Sequence, residues 1–254
     1  MGLDLTNWAD TKRYAVDGYT PVPTIETIWG VLKNYNVQPL DKYRGMDITD
    51  IRDIHEPMIE GCSWTFKTDN IEKVNVTYLV FMKRMAVTFS MIFPDDDHDF
   101  PVFSSELVEN PNNIHLLLDL HPLQDIVLFT DYRRRYLDGV GAIWQEYLDV
   151  QNDINPHIWY RSMLGPYSLT GRHKPDANRT MASRALEVIR KYLEYYMDEV
   201  VVKASPVTDT WQKDFANRKK QKMKEIYIMG DPGSGPLMKV LGKERGHKIM
   251  ECVL

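Results

Sequence analysis

The first half of the chain carries short runs of β-branched and aromatic residues separated by turn residues. Runs with the length and composition of strands cover residues 65–70, 74–82, 86–93, 102–109 and 114–120. The segments between them are short, and one of them is only Lys83-Arg84-Met85. Connections this short join antiparallel neighbours, because a parallel crossover needs a dozen or more residues. The pattern therefore predicts an antiparallel sheet.

Apolar residues recur with helical spacing before and after these strands. The segments that fit a helical period are residues 24–36, 131–150, 179–202, 211–229 and 236–253. The clearest is 179–202, where Leu186, Ile189 and Leu193 lie on one apolar stripe. Strands followed by helices are typical of α+β proteins. We predict a single domain over residues 1–254, with helices covering the sheet and any ligand site between the two layers.

Composition and charge exclude several classes of protein. The net charge of −5 argues against nucleic acid as the main partner. Cys62 and Cys252 are too few for a disulfide framework or a Cys-rich zinc site, although one disulfide between them stays open. No apolar run approaches the ~20 residues that span a bilayer. The N-terminal segment lacks the apolar core of a signal peptide. We therefore expect a cytoplasmic protein that does not bind membranes.

The glycine-rich segment 230–235 (GDPGSG) superficially resembles a phosphate-binding loop. Such a loop ends in Gly-Lys-Ser/Thr, but Pro236 and Leu237 stand at that point here. The segment also follows a predicted helix rather than a strand. A turn between two helices is the better interpretation, and it gives Asp231 a turn or N-cap role.

Three residues with metal-binding side chains alternate along one predicted strand. His115, Asp119 and His121 point to the same face because side chains alternate in a strand. Two imidazoles and a carboxylate could hold zinc or iron. Leu117 interrupts the group, and a polar face covered by solvent or by a helix is the better explanation. We predict no metal site.

Charged runs occur in three places. Residues 95–98 (DDDH) are expected to form a solvated turn between strands. Residues 133–135 are three arginines, and a second basic cluster comprises Arg218, Lys219, Lys220, Lys222 and Lys224. The basic residues form either solvated helix faces or a docking surface for a strongly acidic protein.

Glu106 lies in the middle of a predicted strand, in phase with Val102, Ser104 and Val108. A buried carboxyl in such surroundings would favour its protonated form and could donate a proton near neutral pH. An exposed position on an edge strand is the alternative. Glu106 in the sheet and Asp231 between two helices are therefore two candidate acids, and they lie on opposite layers of the predicted fold.

Four stretches in order resemble motifs of the ferredoxin-dependent bilin reductases and the related red chlorophyll catabolite reductases. They are residues 90–94 (SMIFP) with 100–103 (FPVF), 119–123 (DLHPL), 161–167 (RSMLGPY), and 225–254 with its Tyr, Asp-Pro and Leu-Gly elements. The resemblance implies a three-layer α/β/α sandwich with a central antiparallel sheet. It also implies no bound cofactor and reduced [2Fe-2S] ferredoxin as the external electron donor. The substrate would be a linear tetrapyrrole such as biliverdin, reduced by alternating electrons and protons through bilin radicals.

The resemblance assigns the acids residue by residue. Asp231 matches the proton-donating aspartate of several members, and Glu106 matches a strand aspartate but is one methylene longer. Thr77 and Phe89 align with the Glu and His of members that form phycocyanobilin. Neither side chain can protonate a bilin. This departure favours a two-acid enzyme that reduces a vinyl group or a methine bridge.

The remaining assignments concern substrate binding. Arg172 and Arg161 are expected to pair with the propionates of the bilin. Ser104 replaces a glycine of the family pattern, and together with Thr77 and Phe89 it is expected to contact the substrate. We expect a monomer, in the plastid stroma if the source is eukaryotic. Two alternatives remain open, namely a bilin-binding or chaperone-like protein without reductase activity and an unrelated α+β protein.

Overall fold

An antiparallel sheet forms the middle layer of this computed structural model, which describes residues 8–153 and 158–254. The strands are β1 (Gln38–Pro39), β2 (Lys42–Tyr43), β3 (Met46–Asp47), β4 (Ile54–Glu56), β5 (Ile59–Thr68), β6 (Ile71–Phe81), β7 (Met85–Pro94), β8 (Val102–Asn110), β9 (Asn113–His121) and β10 (Leu169–His173). Their order in the main sheet is β1-β5-β6-β7-β8-β9-β10, with β4 also paired to β5, while β2 and β3 pair separately. Every pairing is antiparallel, as the short connections predicted.

Helices cover both faces of this sheet. They are α1 (Thr24–Leu32), α2 (Thr130–Tyr136), α3 (Gly141–Glu146), α4 (Ile158–Arg161), α5 (Thr180–Tyr195), α6 (Thr210–Gly230), α7 (Ser234–Leu241) and α8 (Lys243–Val253). Short 3-10 turns lie at Thr11–Arg13, Thr49–Ile51 and Asp138–Val140, and a π-helical turn at Tyr196–Val201 continues α5.

Alternation along each strand divides the core in two. On β8, Phe103 and Leu107 face the core formed with α1 and α5, whereas Val102 faces the core formed with α6, α7 and α8. The second core includes Met223 of α6 and Ile249 of α8. Each face of the sheet is thus closed by an amphipathic layer. The α+β fold and the three-layer sandwich predicted from the sequence are confirmed.

Helix boundaries differ from the sequence prediction where glycines intervene. The predicted helix 131–150 divides into α2, a 3-10 turn and α3, and a Cβ at Gly139 would lie only 2.5 Å from the Tyr195 hydroxyl. The predicted helix 236–253 divides into α7 and α8 at Gly242, whose φ of 81° is left-handed. Helix α1 ends at Leu32, four residues before the predicted end of its segment.

Several short elements gave no periodic signal. Strands β1 and β4 have two and three residues, too few for an alternation to be recognised. Strand β5 begins at Ile59, before the predicted start at 65, because Gly61 and Ser63 dilute its apolar pattern. Strand β10 and helix α4 were also missed. In the described part of the chain, no helix is both long and apolar enough to cross a membrane.

Candidate active site

A row of side chains crosses the middle of the sheet beneath α6, α7 and α8. Strand register aligns Thr77 of β6, Phe89 of β7, Glu106 of β8 and Leu117 of β9. Because register partners project to the same side of a sheet, these residues share one surface, which we call the site face. Three residues selected from the sequence, Thr77, Phe89 and Glu106, therefore do lie side by side.

Glu106 is the acid at the centre of the site face, on a central strand rather than an edge strand. Its side chain is partly covered. Burial raises the pKa of Glu106 to about 8, and the nearby charge of Asp231 contributes to the increase. A carboxyl with this pKa is mostly protonated at neutral pH, so it can donate a proton to a neighbouring molecule.

Asp231 supplies the second acid from the helical layer. It caps the end of α6, where its backbone N–H donates to the Tyr227 carbonyl over 2.9 Å. Its Oδ1 accepts from the Gly233 N–H at 3.0 Å, which forms the tight turn into α7. Burial raises the pKa of the Asp231 carboxyl, although the N–H groups of Gly233 and Ser234 oppose this increase. Asp231 thus has the predicted turn role and also belongs to the site.

The hydroxyl of Thr77 is engaged in a buried polar network. Thr77 Oγ1 lies 2.7 Å from Ser63 Oγ and donates to Asn75 Oδ1 at 2.8 Å. The Asn75 amide in turn donates to Thr65 Oγ1 at 3.2 Å. All four residues are buried. At the Thr77 end of the row, the site face therefore presents a closed hydroxyl and amide network without an acid.

A second row, parallel to the first, carries a buried hydrogen-bonded chain. Ser104 of β8 pairs in register with Asp119 of β9. Asp119 Oδ2 lies 2.6 Å from His121 Nδ1 and accepts the Gly165 N–H at 2.8 Å. The other imidazole nitrogen, Nε2, lies 3.0 Å from the Tyr227 hydroxyl. Side-chain partners of the Tyr227 hydroxyl also include Ser104.

This chain explains the strand positions that suggested a metal site. Asp119 and His121 bond to each other, while His115 lies four residues before Asp119 on β9 and its Nε2 has no hydrogen-bond partner. Burial and the charge of Arg172 lower the pKa of His115. Within residues 8–153 and 158–254, no cluster of three His, Cys, Asp or Glu residues has an arrangement suited to a metal ion. Cys62 and Cys252 are buried free thiols.

Aromatic rings border the end of α6. Tyr227 contacts Tyr160 and Trp159 edge-to-face, with ring centroids 5.9 and 5.5 Å apart. A Cβ at Gly230 would lie 2.7 Å from the Trp159 ring, so a glycine is required where α6 meets α4. Sequence reasoning missed Trp159 and Tyr160, because the short α4 gives no periodic signal.

The two arginines selected from the sequence lie at the edges. Arg172 of β10 pairs in register with His115 and so projects from the site face, where its Nε is 3.5 Å from Asp153 Oδ2. Arg161 is exposed at the end of α4. Both positions are accessible to the carboxylates of a ligand.

The basic cluster on α6 is not a solvated surface as a whole. Lys220 and Lys224 are only 4% and 3% exposed, and Lys224 forms an ion pair of 3.0 Å with Glu72. Lysines are expected on the solvent-exposed face of an amphipathic helix, but ion pairs with residues distant in sequence allow these two to be buried. Arg218 and Lys222 remain at the surface, each paired with an acid of its own helix.

The acidic turn at residues 95–98 likewise contacts α6 instead of solvent alone. Asp96 Oδ1 lies 2.7 Å from Lys220 Nζ, and Asp97 Oδ1 lies 2.5 Å from Lys213 Nζ. His98 is buried, with Nδ1 2.6 Å from Asp95 Oδ1. The expectation of a solvated turn holds for Asp96 and Asp97, whose side chains are exposed, but not for His98, which is buried.

Comparison with known proteins decides the family. The model of the family "Ferredoxin-dependent bilin reductase" matches residues 34–254. The chain belongs to the ferredoxin-dependent bilin reductases. A 15,16-dihydrobiliverdin:ferredoxin oxidoreductase of Gloeobacter violaceus is 24% identical to this reductase over 211 residues, which are 82% of this chain and 79% of the relative. A phycoerythrobilin:ferredoxin oxidoreductase of Nostoc punctiforme is 23% identical over 188 residues, covering 72% and 70% of the two chains.

Solved structures agree with the fold of this reductase. The crystal structure of phytochromobilin synthase from tomato in complex with biliverdin superposes with a TM-score of 0.72 at 16% identity. The match covers 90% of this chain and 81% of that one. The family, the fold and the oxidoreductase class predicted from the sequence are confirmed. The roles of the individual site residues stay predictions.

Proposed function

We propose that this reductase adds two electrons and two protons to one double bond of biliverdin or a closely related bilin. Reduced ferredoxin supplies the electrons one at a time, so the bilin passes through a radical. Support comes from the relatives, which are named for 15,16-dihydrobiliverdin and phycoerythrobilin, and from the fold shared with a synthase in complex with biliverdin. The protein's own part in this reaction is to orient the substrate and supply protons.

One observation carries the proposal, namely that Glu106 lies at the centre of the site face, in register with Phe89 and Leu117, where burial raises the pKa of its carboxyl. A bilin that has gained one electron becomes more basic, and a carboxylic acid with a pKa of about 8 is well matched to protonate it. After donating, Glu106 is left as a carboxylate in a poorly solvated site, which favours its reprotonation before the next turnover.

Asp231 is the donor of the second proton in this proposal. Its carboxyl approaches the bilin from α6, on the opposite side from Glu106, and burial raises its pKa. Thr77 and Phe89 contribute no proton. Thr77 is held in its buried network, and Phe89 offers an apolar contact between the two ends of the row. Two acids and two protons match a two-electron reduction.

Further contacts complete the proposed complex. Arg172 and Arg161 bind the propionates at the open edges of the site, where guanidinium and carboxylate can pair. Ser104 lies in the adjacent row and presents its hydroxyl toward Tyr227 and the bilin. The chain acts as a single domain and a monomer in this proposal. Exposed basic residues of the two clusters noted in the sequence, such as Arg134 and Arg218, attract the acidic ferredoxin.

The test is an anaerobic assay with purified protein, biliverdin and 15,16-dihydrobiliverdin, each first alone and then with reduced ferredoxin. We expect a bilin spectrum that shifts on binding and then changes stoichiometrically as two electrons are delivered. Tight binding without any later spectral change would instead support a bilin-binding protein of this fold. Uptake of four electrons by the bilin would contradict the proposed two-electron reaction.

A further inference from the structure

The Asp119, His121 and Tyr227 chain ties the sheet to the helix that carries Asp231. His121 belongs to β9 and Tyr227 to α6, and they are 106 positions apart in the sequence. Asp119 and His121 are withdrawn from solvent, with exposed fractions of 1% and 0%. None of these residues has a role in the proton transfers proposed above.

The partners of His121 fix the direction of its hydrogen bonds. Nδ1 lies 2.6 Å from Asp119 Oδ2 and 3.1 Å from the Met163 carbonyl. A carbonyl oxygen can only accept, so Nδ1 must carry a hydrogen. In the neutral imidazole, Nε2 is then the acceptor, and the Tyr227 hydroxyl donates to it over 3.0 Å. Asp119 is itself held by the Gly165 N–H at 2.8 Å, so the chain begins at fixed backbone.

At its other end, the hydrogen-bonded series Asp119–His121–Tyr227 is connected to Asp231 by a single turn of α6. The carbonyl of Tyr227 accepts the Asp231 N–H at 2.9 Å, which is the last bond of α6. Close packing of Gly230 against Trp159 restrains the same turn from the side. A displacement of the Tyr227 ring therefore moves the backbone that carries the Asp231 carboxyl.

We infer that Asp119, His121 and Tyr227 form a positioning clamp, which sets the separation between Asp231 on α6 and Glu106 on β8. This inference rests on the proposed roles of those two acids, and the clamp residues themselves need not touch the substrate. Positioning matters because proton transfer requires hydrogen-bond distance, and a misplacement of about 1 Å can cost on the order of a hundredfold in rate.

The test measures the pKa of Glu106 by carbon-13 NMR of labelled glutamate carboxyls in the ligand-free protein, so it does not depend on turnover. The charge that acts on Glu106 is that of Asp231 at the end of α6, and the other titratable groups nearby are the hydroxyls of Tyr227 and Tyr160, on which both Glu106 and Asp119 act. D231N is expected to lower the pKa of Glu106, because it removes a negative charge. Y227F should lower that pKa as well, and the double variant should do so no further than D231N.

Steady-state kinetics of Y227F, D231N and the double variant provide a second readout of this double-mutant cycle. Y227F should lower kcat roughly ten- to a hundredfold with little change in KM, and much less in the D231N background. His121→Gln changes the other partner of the same hydrogen bond and should have the same effects as Y227F. If one of the two variants folds poorly, the other provides the test. Tyr196→Phe is the matched control, since it removes a buried hydroxyl that donates to the Pro101 carbonyl at 2.9 Å in the core formed with α1 and α5. It should leave both readouts unchanged.

The outcomes separate the clamp from the proposed function. An unchanged Glu106 pKa in both Y227F and His121→Gln, with folded protein by circular dichroism, would overturn the clamp. Effects of Y227F and D231N on that pKa that simply add would also overturn it, because Tyr227 would then act on Glu106 directly. Absence of bilin reduction by the unaltered protein would contradict the proposed function but leave the pKa cycle interpretable.

Discussion

The Asp231 carboxyl at the end of α6 lies close enough to Glu106 on β8 for its charge to raise the pKa of Glu106, which burial brings to about 8. The two acids come from different layers of the sandwich and are 125 positions apart in the sequence. Two neighbouring carboxyls that lose their protons at different pH can serve as successive donors. This relationship makes the predictions below specific to individual atoms.

Removal of the Glu106 carboxyl should slow catalysis far more than binding. We expect E106Q to lower kcat by roughly 10²- to 10⁴-fold, because general acid catalysis contributes on this scale. E106D, which keeps the acid but shortens it, should recover part of the rate. Glu109→Gln is the matched control, since Glu109 lies on the same strand, has its pKa raised by burial to about 7, and faces Tyr19 and Val22 on the opposite side. Equal losses in E106Q and Glu109→Gln would contradict the role of Glu106.

The alkaline limb of the pH–rate profile should report Glu106. The unaltered enzyme should lose activity as the pH rises through about 8, when Glu106 gives up its proton. In D231N the limb should move to lower pH, because a negative charge that disfavours ionisation of Glu106 has gone. Measurement of kcat/KM from pH 6 to pH 10 in both proteins tests this. An alkaline limb at the same pH in D231N would exclude coupling between the two acids.

D231N should also interrupt the reaction part-way. With the second donor absent, we expect the bilin to bind and accept an electron and then accumulate as a radical. Electron paramagnetic resonance of samples frozen after one equivalent of reduced ferredoxin would detect it. A rate and product identical to those of the unaltered enzyme would remove Asp231 from the mechanism.

The free energy of unfolding should depend on pH through Glu106 and Glu72, and the two carboxyls should act in opposite directions. The pKa of Glu106 is raised on folding, so its unfavourable contribution appears as the pH rises above about 4.5 and is complete above about 8. E106Q should therefore match the unaltered protein near pH 5 and exceed it by about 1–2 kcal/mol near pH 9, after discount for solvent screening. Urea unfolding at both pH values measures the difference. A larger effect at pH 5 than at pH 9 would have the wrong sign.

Glu72 should act in the acid range instead. Burial alone would raise the pKa of the Glu72 carboxyl. That pKa is instead lowered to about 2 by the charges of Lys224 and Lys220 and by hydrogen bonds from Tyr43 and Lys224. Its stabilising contribution is present above about 4.5 and is lost as the pH falls toward 2. Glu72→Gln should destabilise the protein by about 2–4 kcal/mol at pH 7, since it leaves the buried Lys224 without its carboxylate partner. Thermal unfolding at pH 7 and pH 3 should show the loss shrinking at the lower pH.

Arg172 should affect substrate binding more than chemistry. R172A is expected to raise KM for the bilin by roughly three- to tenfold with kcat nearly unchanged, which corresponds to one exposed charge-assisted contact. Arg190→Ala is a suitable control, because Arg190 pairs with Glu194 on α5, on the other side of the sheet. Equal changes in the two variants would indicate a general charge effect.

The sheet and the site face could be predicted because their information is local. Alternation of side chains places Ser104 and Glu106 on one side of β8, and the order of the strands follows from short connections. The contact between His121 and Tyr227 could not be predicted in this way, because no local pattern records which residues meet across two layers. The burial of Lys220 and Lys224 was missed for the same reason. Their acidic partner, Glu72, lies about 150 positions earlier in the chain.

The layered position of the two acids has a consequence for the handedness of the product. A flat conjugated ligand between β8 and α6 turns one of its faces toward Glu106 and the other toward Asp231. If each acid delivers one proton, as proposed, the two hydrogens enter from opposite faces of the tetrapyrrole. Turnover in deuterium oxide would then label the new stereocentres in a single relative configuration, with the fold itself acting as the chiral template.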